Sequence, residues 1–259
     1  MMRLLMTAAT GMEAMQQNID VTANNLANIN TTAFKKSRAN FHDLLYQELR
    51  APGQNTTTGT VVPSGIQIGS GAMLSSVDKM FTTGAVKMTG NENDFMIEGG
   101  GFFRVQLDDG QVAYTRDGNF KWDNQGRLVT ADGFPLVDQV VRPAGATKMV
   151  VGLDGVVTVD VNGQKQQIGQ VQLANFINPT GLSAKGRNLY SATEASGEPI
   201  VGIANQNGMG AIYHQQLEAS NVNIVEEMVN MIAGQRAYEM NSKVIQTGDQ
   251  MLQATVAIR

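Results

Sequence analysis

Two stretches of the chain repeat apolar residues at helical spacing. Over residues 3–29 the positions Leu5, Ala8, Met12, Met15, Ile19, Thr22, Leu26 and Ile29 advance by alternating steps of three and four. That is the spacing of a coiled-coil seam, and it predicts a long amphipathic helix. Asn28 and Asn30 offer a stop, because asparagine tolerates the left-handed conformation that ends helices. Residues 220–259 predict a second long helix with two apolar edges. One edge is Ile224, Met228, Met231, Tyr238, Ile245, Leu252 and Val256; the other is Ala233, Ala237, Met240, Val244, Met251, Ala254 and Ile258. At 3.6 residues per turn the edges lie on nearly opposite sides. A helix lying on its own domain needs one apolar stripe, so the second edge calls for a further partner. Asn223 is placed to cap this helix, with Glu226 three residues on. Glu239 and Lys243 have the spacing of a favourable i,i+4 pair. Gly234 and Gly248 fall inside it at about 1 kcal/mol each relative to alanine, a cost that close approach of another backbone would justify. A shorter amphipathic piece, Phe34 to Leu49, predicts a third helix carrying His42.

Between these segments the pattern changes. Residues 51–65, APGQNTTTGTVVPSG, hold no helical period and predict an extended connection. Residues 66–214 hold short strand-like runs cut by Asp109-Gly110, Asp117-Gly118, Asp132-Gly133, Asp154-Gly155 and Asn162-Gly163. Such pairs suit hairpin turns in which both central residues take positive φ. No helical pattern separates the strands, so an antiparallel sandwich or open barrel is expected rather than a parallel α/β sheet. The expected fold class is α+β: long N- and C-terminal helices pairing as a coiled-coil layer, with a central antiparallel all-β domain. The expected division is 1–45, an N-terminal helical part; 46–71, an extended connecting segment; 72–214, the β domain; and 215–259, the C-terminal helix.

Composition narrows the function. Charged residues are 16% of the chain, below the usual quarter, and the net charge is −4, so there is no electrostatic footprint for nucleic acid. The nearest basic patch, Lys35, Lys36 and Arg38, reads as a solvated helix end. The chain has no cysteine, which excludes disulfides and thiolate chemistry but leaves the compartment open. MMRLLMTAATGM is too short and interrupted for a secretory core, and no window of 18 apolar residues exists to insert in a membrane. The two histidines, His42 and His214, lack metal-ligand spacing. Turn formation accounts for the aspartates at 109, 117, 132 and 154. Asp117, Asn119 and Asp123 lack the order of a calcium loop. GGGFF at 99–103 precedes a strand, so it is a bend and not a phosphate cradle. No catalytic residue, metal or cofactor is expected, and the chain does not read as an enzyme.

Both ends carry longer motifs. NNLANINTTAF (residues 24–34), with Asn24, Asn25, Leu26, Ala27, Asn28, Asn30 and Phe34, resembles the N-terminal signature of the bacterial flagellar rod and hook family. SNVNIVEEMVNMIAGQRAYEMNSKVIQTGDQML, with Ser220, Asn221, Asn223, Glu227, Gln235, Arg236, Tyr238 and Glu239, resembles its C-terminal signature. FMIEGGGFFRV, YTRDGNFKWDNQGRLVTADGFPLV and NLYSAT are similar to its central domain. Residues 46–71 resemble the connecting segment of the distal rod branch, which hook subunits lack; proximal rod relatives are the alternative.

The resemblance implies a structural subunit that stacks helically into a hollow drive shaft, transmitting torque from motor to hook across the periplasm. Its implied partners are copies of itself, proximal rod proteins, hook or hook-side proteins, the peptidoglycan and outer-membrane ring proteins, and the type III export apparatus, which passes it without a cleaved signal. The implied packing positions are Leu5, Ala8, Met12, Met15, Ile19, Leu26 and Ile29 with Ile224, Met228, Met231, Tyr238, Met240, Val244, Ile245, Met251 and Leu252. Residues 1–30 and 220–259 are expected to order on assembly. Two departures stand out. Ala33 replaces the usual glycine before Phe34, which costs roughly 1 kcal/mol if that position needs positive φ. HQQ at 214–216 replaces a usual Gln-Gly pair. A cell-wall-binding β module and a soluble coiled-coil adaptor are the readings from other classes.

Overall fold

The structure is a computed structural model and describes residues 2–51, 64–161 and 163–257. It is α+β. Helix α1 spans Met2–Ala27 and α2 spans Ile224–Ala257, with strands between them. The chain forms two compact units: Met1–Ala27, Ser37–Asp78 and Asn223–Arg259 make the first, and Asn28–Lys36 with Lys79–Val222 the second.

In the first unit α1 and α2 lie side by side in opposite directions. Leu5 meets Gly248, Ile19 meets Gly234, and Asn25 meets Glu227. Four strands join them: β1 (Ser37–Asp43), β2 (Tyr46–Arg50), β3 (Ile66–Gly69) and β4 (Ala72–Lys79). β1 pairs with β4, and β2 pairs antiparallel with β3. The helix expected over Phe34–Leu49 is therefore not formed, and His42 stands exposed on β1. The short apolar period fits either element, and distant partners β3 and β4 supply ladder hydrogen bonds that decide for strand. Only 64–71 and 46–51 of the expected connection can be placed, and their strands pair with each other. Residues 52–63 lie outside the described residues, as do Asn162 of one expected turn and Ile258 of the second apolar edge.

The second unit is built on a six-stranded antiparallel sheet. Its order is Ser183–Gly186, Leu189–Ser191, Val112–Thr115, Phe102–Gln106, Gln172–Asn175, Ile200–Ile203. Neighbouring residues on a strand point to opposite faces. Phe103, Ala113, Leu189 and Leu173 accordingly join the main core with Phe95, Ile97, Phe120, Leu128 and Met149. Phe102, Tyr114, Tyr190 and Ala174 build a second core with Phe176 on the other face. A separate three-stranded sheet, Ala146–Val151, Val156–Val161 and Gln164–Gln170, contributes Val151, Val157 and Val159 to the main core.

The turns repeat one design. In Leu107–Gly110, Asp123–Gly126, Thr130–Gly133 and Gly152–Gly155, the glycine N–H donates to the carbonyl three residues back, and the first residue's N–H donates to the residue after the glycine. Those glycines have φ of 78°, 73°, 92° and 79°. The residues before them, Asp109, Gln125, Asp132 and Asp154, are not left-handed, so these are type I turns closed by a left-handed glycine; the three Asp-Gly pairs among them do not form the mirror-image turns expected of them. Asp117-Gly118 is no such turn. Gly118 leaves room for the Phe95 carbonyl, which an added Cβ would meet at 1.7 Å.

Candidate assembly face and buried charge cluster

The helix pair has an inner and an outer side. Of the expected seam on α1, Ala8 and Thr22 are buried, and Leu5, Met12, Met15, Ile19 and Leu26 are half-buried. Ile29 lies past the end of α1. On α2 the side toward α1 carries Glu227, Gly234, Asn241 and Gly248, each in contact with α1. Met231, Ile245 and Leu252 fall on the same side by spacing and are half-buried. Tyr238 is at its margin, whereas Ile224, Met228 and Val256 are exposed. The second edge faces away except at Ala237, which is half-buried. Met240 is 68%, Met251 49% and Val244 36% exposed, and Val229 at 58% extends the stripe. The interior glycines of α2 accommodate side chains of α1, not its backbone: a Cβ at Gly234 would sit 3.0 Å from Ile19 Cγ1, and one at Gly248 3.1 Å from Leu5 Cδ2. Glu239 pairs with Arg236, one turn before it, at 3.2 Å on the exposed side, rather than with the expected Lys243 one turn after it.

The signature asparagines satisfy backbone. Asn25 Nδ2 donates to Ser37 O (2.8 Å) and to Glu227 Oε2 (3.1 Å), while its Oδ1 accepts from Ser37 N (2.8 Å). It thus holds the start of β1 to the helix pair. Asn223 Oδ1 accepts from Val225 N at 3.0 Å, capping α2. In the second unit Asn221 Oδ1 accepts from Lys36 N (2.7 Å), and its amide donates to Met80 O (2.8 Å) and Thr82 Oγ1 (2.9 Å). Asn28 O accepts from Thr31 N in the turn after α1, and Ser220 Oγ accepts from Val222 N. Phe34 is buried under Lys79, whose ammonium is 5.2 Å from the ring. Asn24, Ala27, Asn30, Gln235 and Arg236 are exposed.

Lys35 is not a solvated helix end. It is fully buried, with Nζ 2.5 Å from Glu218 Oε1 and 2.8 Å from Thr82 O. Glu218 Oε1 also accepts from Gly84 N at 2.8 Å, and its Oε2 lies 3.3 Å from Arg116 Nε. That last contact is ionic, since neither atom makes a hydrogen bond. Arg116 donates to Gly99 O and Gly101 O, both at 2.7 Å, so it pins the glycine bend to the cluster. One carboxylate therefore faces two cations with no water contact. Burial first, then the Arg116 charge, brings the Lys35 ammonium down to about 8 against the opposing pull of Glu218. Burial likewise pushes the neighbouring Tyr190 hydroxyl up to about 12. Nothing local in the sequence marks these residues, because the partners are distant along the chain. Above the cluster, Ala33 has φ of 56°, is buried, and donates its N–H to Glu218 O at 2.8 Å. Gln215 has φ of 62°. Both departures from the signature thus sit at left-handed positions.

His42 and His214 belong to different units, and His214 Nε2 lies 2.8 Å from Glu92 O. Among the described residues no group of three or more potential side-chain ligands is placed to hold a metal, and no helix is long and apolar enough to cross a membrane.

Residues 5–35 match the family described as flagella basal body rod protein, 96–159 the flagellar hook protein FlgE/F/G D1 domain, and 214–258 the flagellar basal body rod FlgEFG protein C-terminal family. The chain is 48% identical to the flagellar basal-body rod protein FlgG of Buchnera aphidicola subsp. Schizaphis graminum over 96% of both chains. It is 45% identical to that of Caulobacter vibrioides and 39% to that of Bacillus subtilis, each over 100% of both chains. With all three parts matched in order and the relatives aligned end to end, the chain belongs to the flagellar basal-body rod family.

Proposed function

We infer that this rod-family subunit stacks helically with copies of itself to form the distal part of the hollow shaft that transmits torque to the hook. The terminal helices pair as a coiled coil that supplies the stacking contacts. The carrying observation is the exposed apolar edge of α2 that faces away from α1, formed by Met240, Val244 and Val229. A patch that meets a different patch on the next copy makes a head-to-tail contact, and where its rotation does not close into a ring such contacts build open filaments. The distal position rests on the resemblance of residues 46–71. Contacts with proximal rod proteins, hook-side proteins, the surrounding rings and the type III export apparatus, and passage across the periplasm without a cleaved signal, follow from membership of the rod. The two edges of α2 divide the work. Met240→Asp with Val244→Asp should block polymer growth in sedimentation while sparing the pairing of α1 with α2 within the chain. Met231→Asp with Tyr238→Asp should weaken that pairing as well. Equal effects of the two double variants would refute the division.

A further inference from the structure

We propose that Gly11, Gly234 and Gly248, together with the buried Asn25–Glu227 contact, set the register of α1 on α2 and select it against slippage by one heptad. The facing positions of α2 recur every seventh residue and alternate in kind: Glu227, Gly234, Asn241, Gly248. Each meets a complementary residue on α1. Glu227 takes the Asn25 amide at 3.1 Å, Gly234 the Ile19 side chain, Asn241 the space over Gly11, and Gly248 the Leu5 side chain. The fits are close. A Cβ at Gly11 would stand 3.0 Å from Asn241 Nδ2, and Cβ atoms at Gly234 and Gly248 would stand 3.0 and 3.1 Å from Ile19 and Leu5.

The need for such a code is physical. A seam of Leu, Met and Ala looks much the same to its partner after a shift of seven residues, so apolar packing alone specifies register weakly. In this pair a seven-residue slip puts Ile19 against Asn241 or Glu227 and carries Asn25 away from Glu227. Bulky apolar groups then meet polar ones, and buried polar groups lose their partners. A slip of fourteen restores the alternation but forfeits about half of the contact of the 26-residue α1 in one direction and about a third in the other, where the 34-residue α2 runs on. Register also fixes which side of α2 is left for a second copy; that last step rests on the stacking reading above.

The absence of native cysteine makes a direct test possible. Ile19→Cys with Gly234→Cys reports the native register, and Met12→Cys or Leu26→Cys with Gly234→Cys, each with Ile19→Ala so that the filled notch meets no bulk, reports the slipped ones. In dilute full-length chain the native pair should oxidise to an intrachain disulfide about ten-fold faster than either slipped pair, because bridging needs Cβ atoms roughly 4 Å apart. Adding Gly248→Val and Asn25→Leu should bring that ratio close to one, and Leu5→Ala should restore part of it. Equal rates in the parent, or a ratio unmoved by filling Gly248 and removing Asn25, would overturn the proposal. Because the cross-link forms within one chain, native-register cross-linking in a chain that fails to polymerise in sedimentation counts against stacking and not against the register code.

Discussion

Replacing Lys35 with methionine removes one of two buried cations that share a single carboxylate. The Lys35 ammonium is held at about 8, against 10.5 when unhindered. That difference corresponds to about 3 kcal/mol between the charged and neutral forms. Its sign is set by proton binding: between these two values the unfolded chain holds a proton that the folded chain has released. Stability therefore rises with pH across that window, and the charged form is a burden below it. About 2 kcal/mol of the gain should appear by pH 9.5, before raised tyrosines such as Tyr114 and Tyr190 begin to act in the opposite direction. Trp122, the sole tryptophan, packs against the main core and reports unfolding of the unit that contains the cluster. Urea titrations followed by its fluorescence at pH 7 and pH 9.5 give the difference directly. Lys35→Met should lose most of this rise, keeping only what Lys79 contributes, since burial lowers that ammonium too, and should lie within about 1 kcal/mol of the parent at pH 7, since Glu218 keeps Arg116 and Gly84 N. Glu218→Gln should cost about 3–5 kcal/mol, because it strands two buried cations. A parent whose stability is flat or falling from pH 7 to 9.5, or a methionine variant as costly as the glutamine one, would show the reasoning to be wrong.

Other consequences can be checked with the same reporters. Ala33→Gly should raise the urea midpoint by an amount equivalent to about 0.5–1 kcal/mol by relieving the φ of 56°, whereas Ala33→Val should lower it by more than about 2 kcal/mol. Gly118→Ala should unfold the strand-built unit or cost at least about 3 kcal/mol, because its Cβ would overlap the Phe95 carbonyl. Gly110→Ala, left-handed but in open space, should cost only about 1 kcal/mol. Asn223→Ala should lose about 1 kcal/mol of local stability, seen as faster amide exchange confined to the first turn of α2.

The helices were legible because their 3.6-residue period runs for many turns and the caps are local. The turns were legible as positions through their glycines, but not as types, since hydrogen bonding of the flanking strands decides whether the aspartate also turns left-handed. Phe34–Leu49 misled because a short apolar period fits helix and strand equally, and the deciding partners, β3 and β4, follow only after residue 65. The two-edged reading of α2 located the outer stripe, but the inner side is made as much of Glu227, Gly234, Asn241 and Gly248 as of apolar residues. A hydrophobicity pattern does not register glycine notches or a buried carboxylate. Lys35 was misread for a related reason: its charge was visible, and its partner was not.

Lys35 and Glu218 are separated by 183 residues. Turns of four residues let neighbouring strands meet as local events with small closure entropy, whereas this ion pair must close a loop spanning most of the chain. The strand-built unit therefore cannot lock until material from both ends of the sequence is present together. For a chain delivered through a narrow conduit from one end to the other, the lock stays open until nearly the whole length has arrived. Completion of the fold is then timed by delivery of the last segment, and the hairpins made earlier remain cheap to undo.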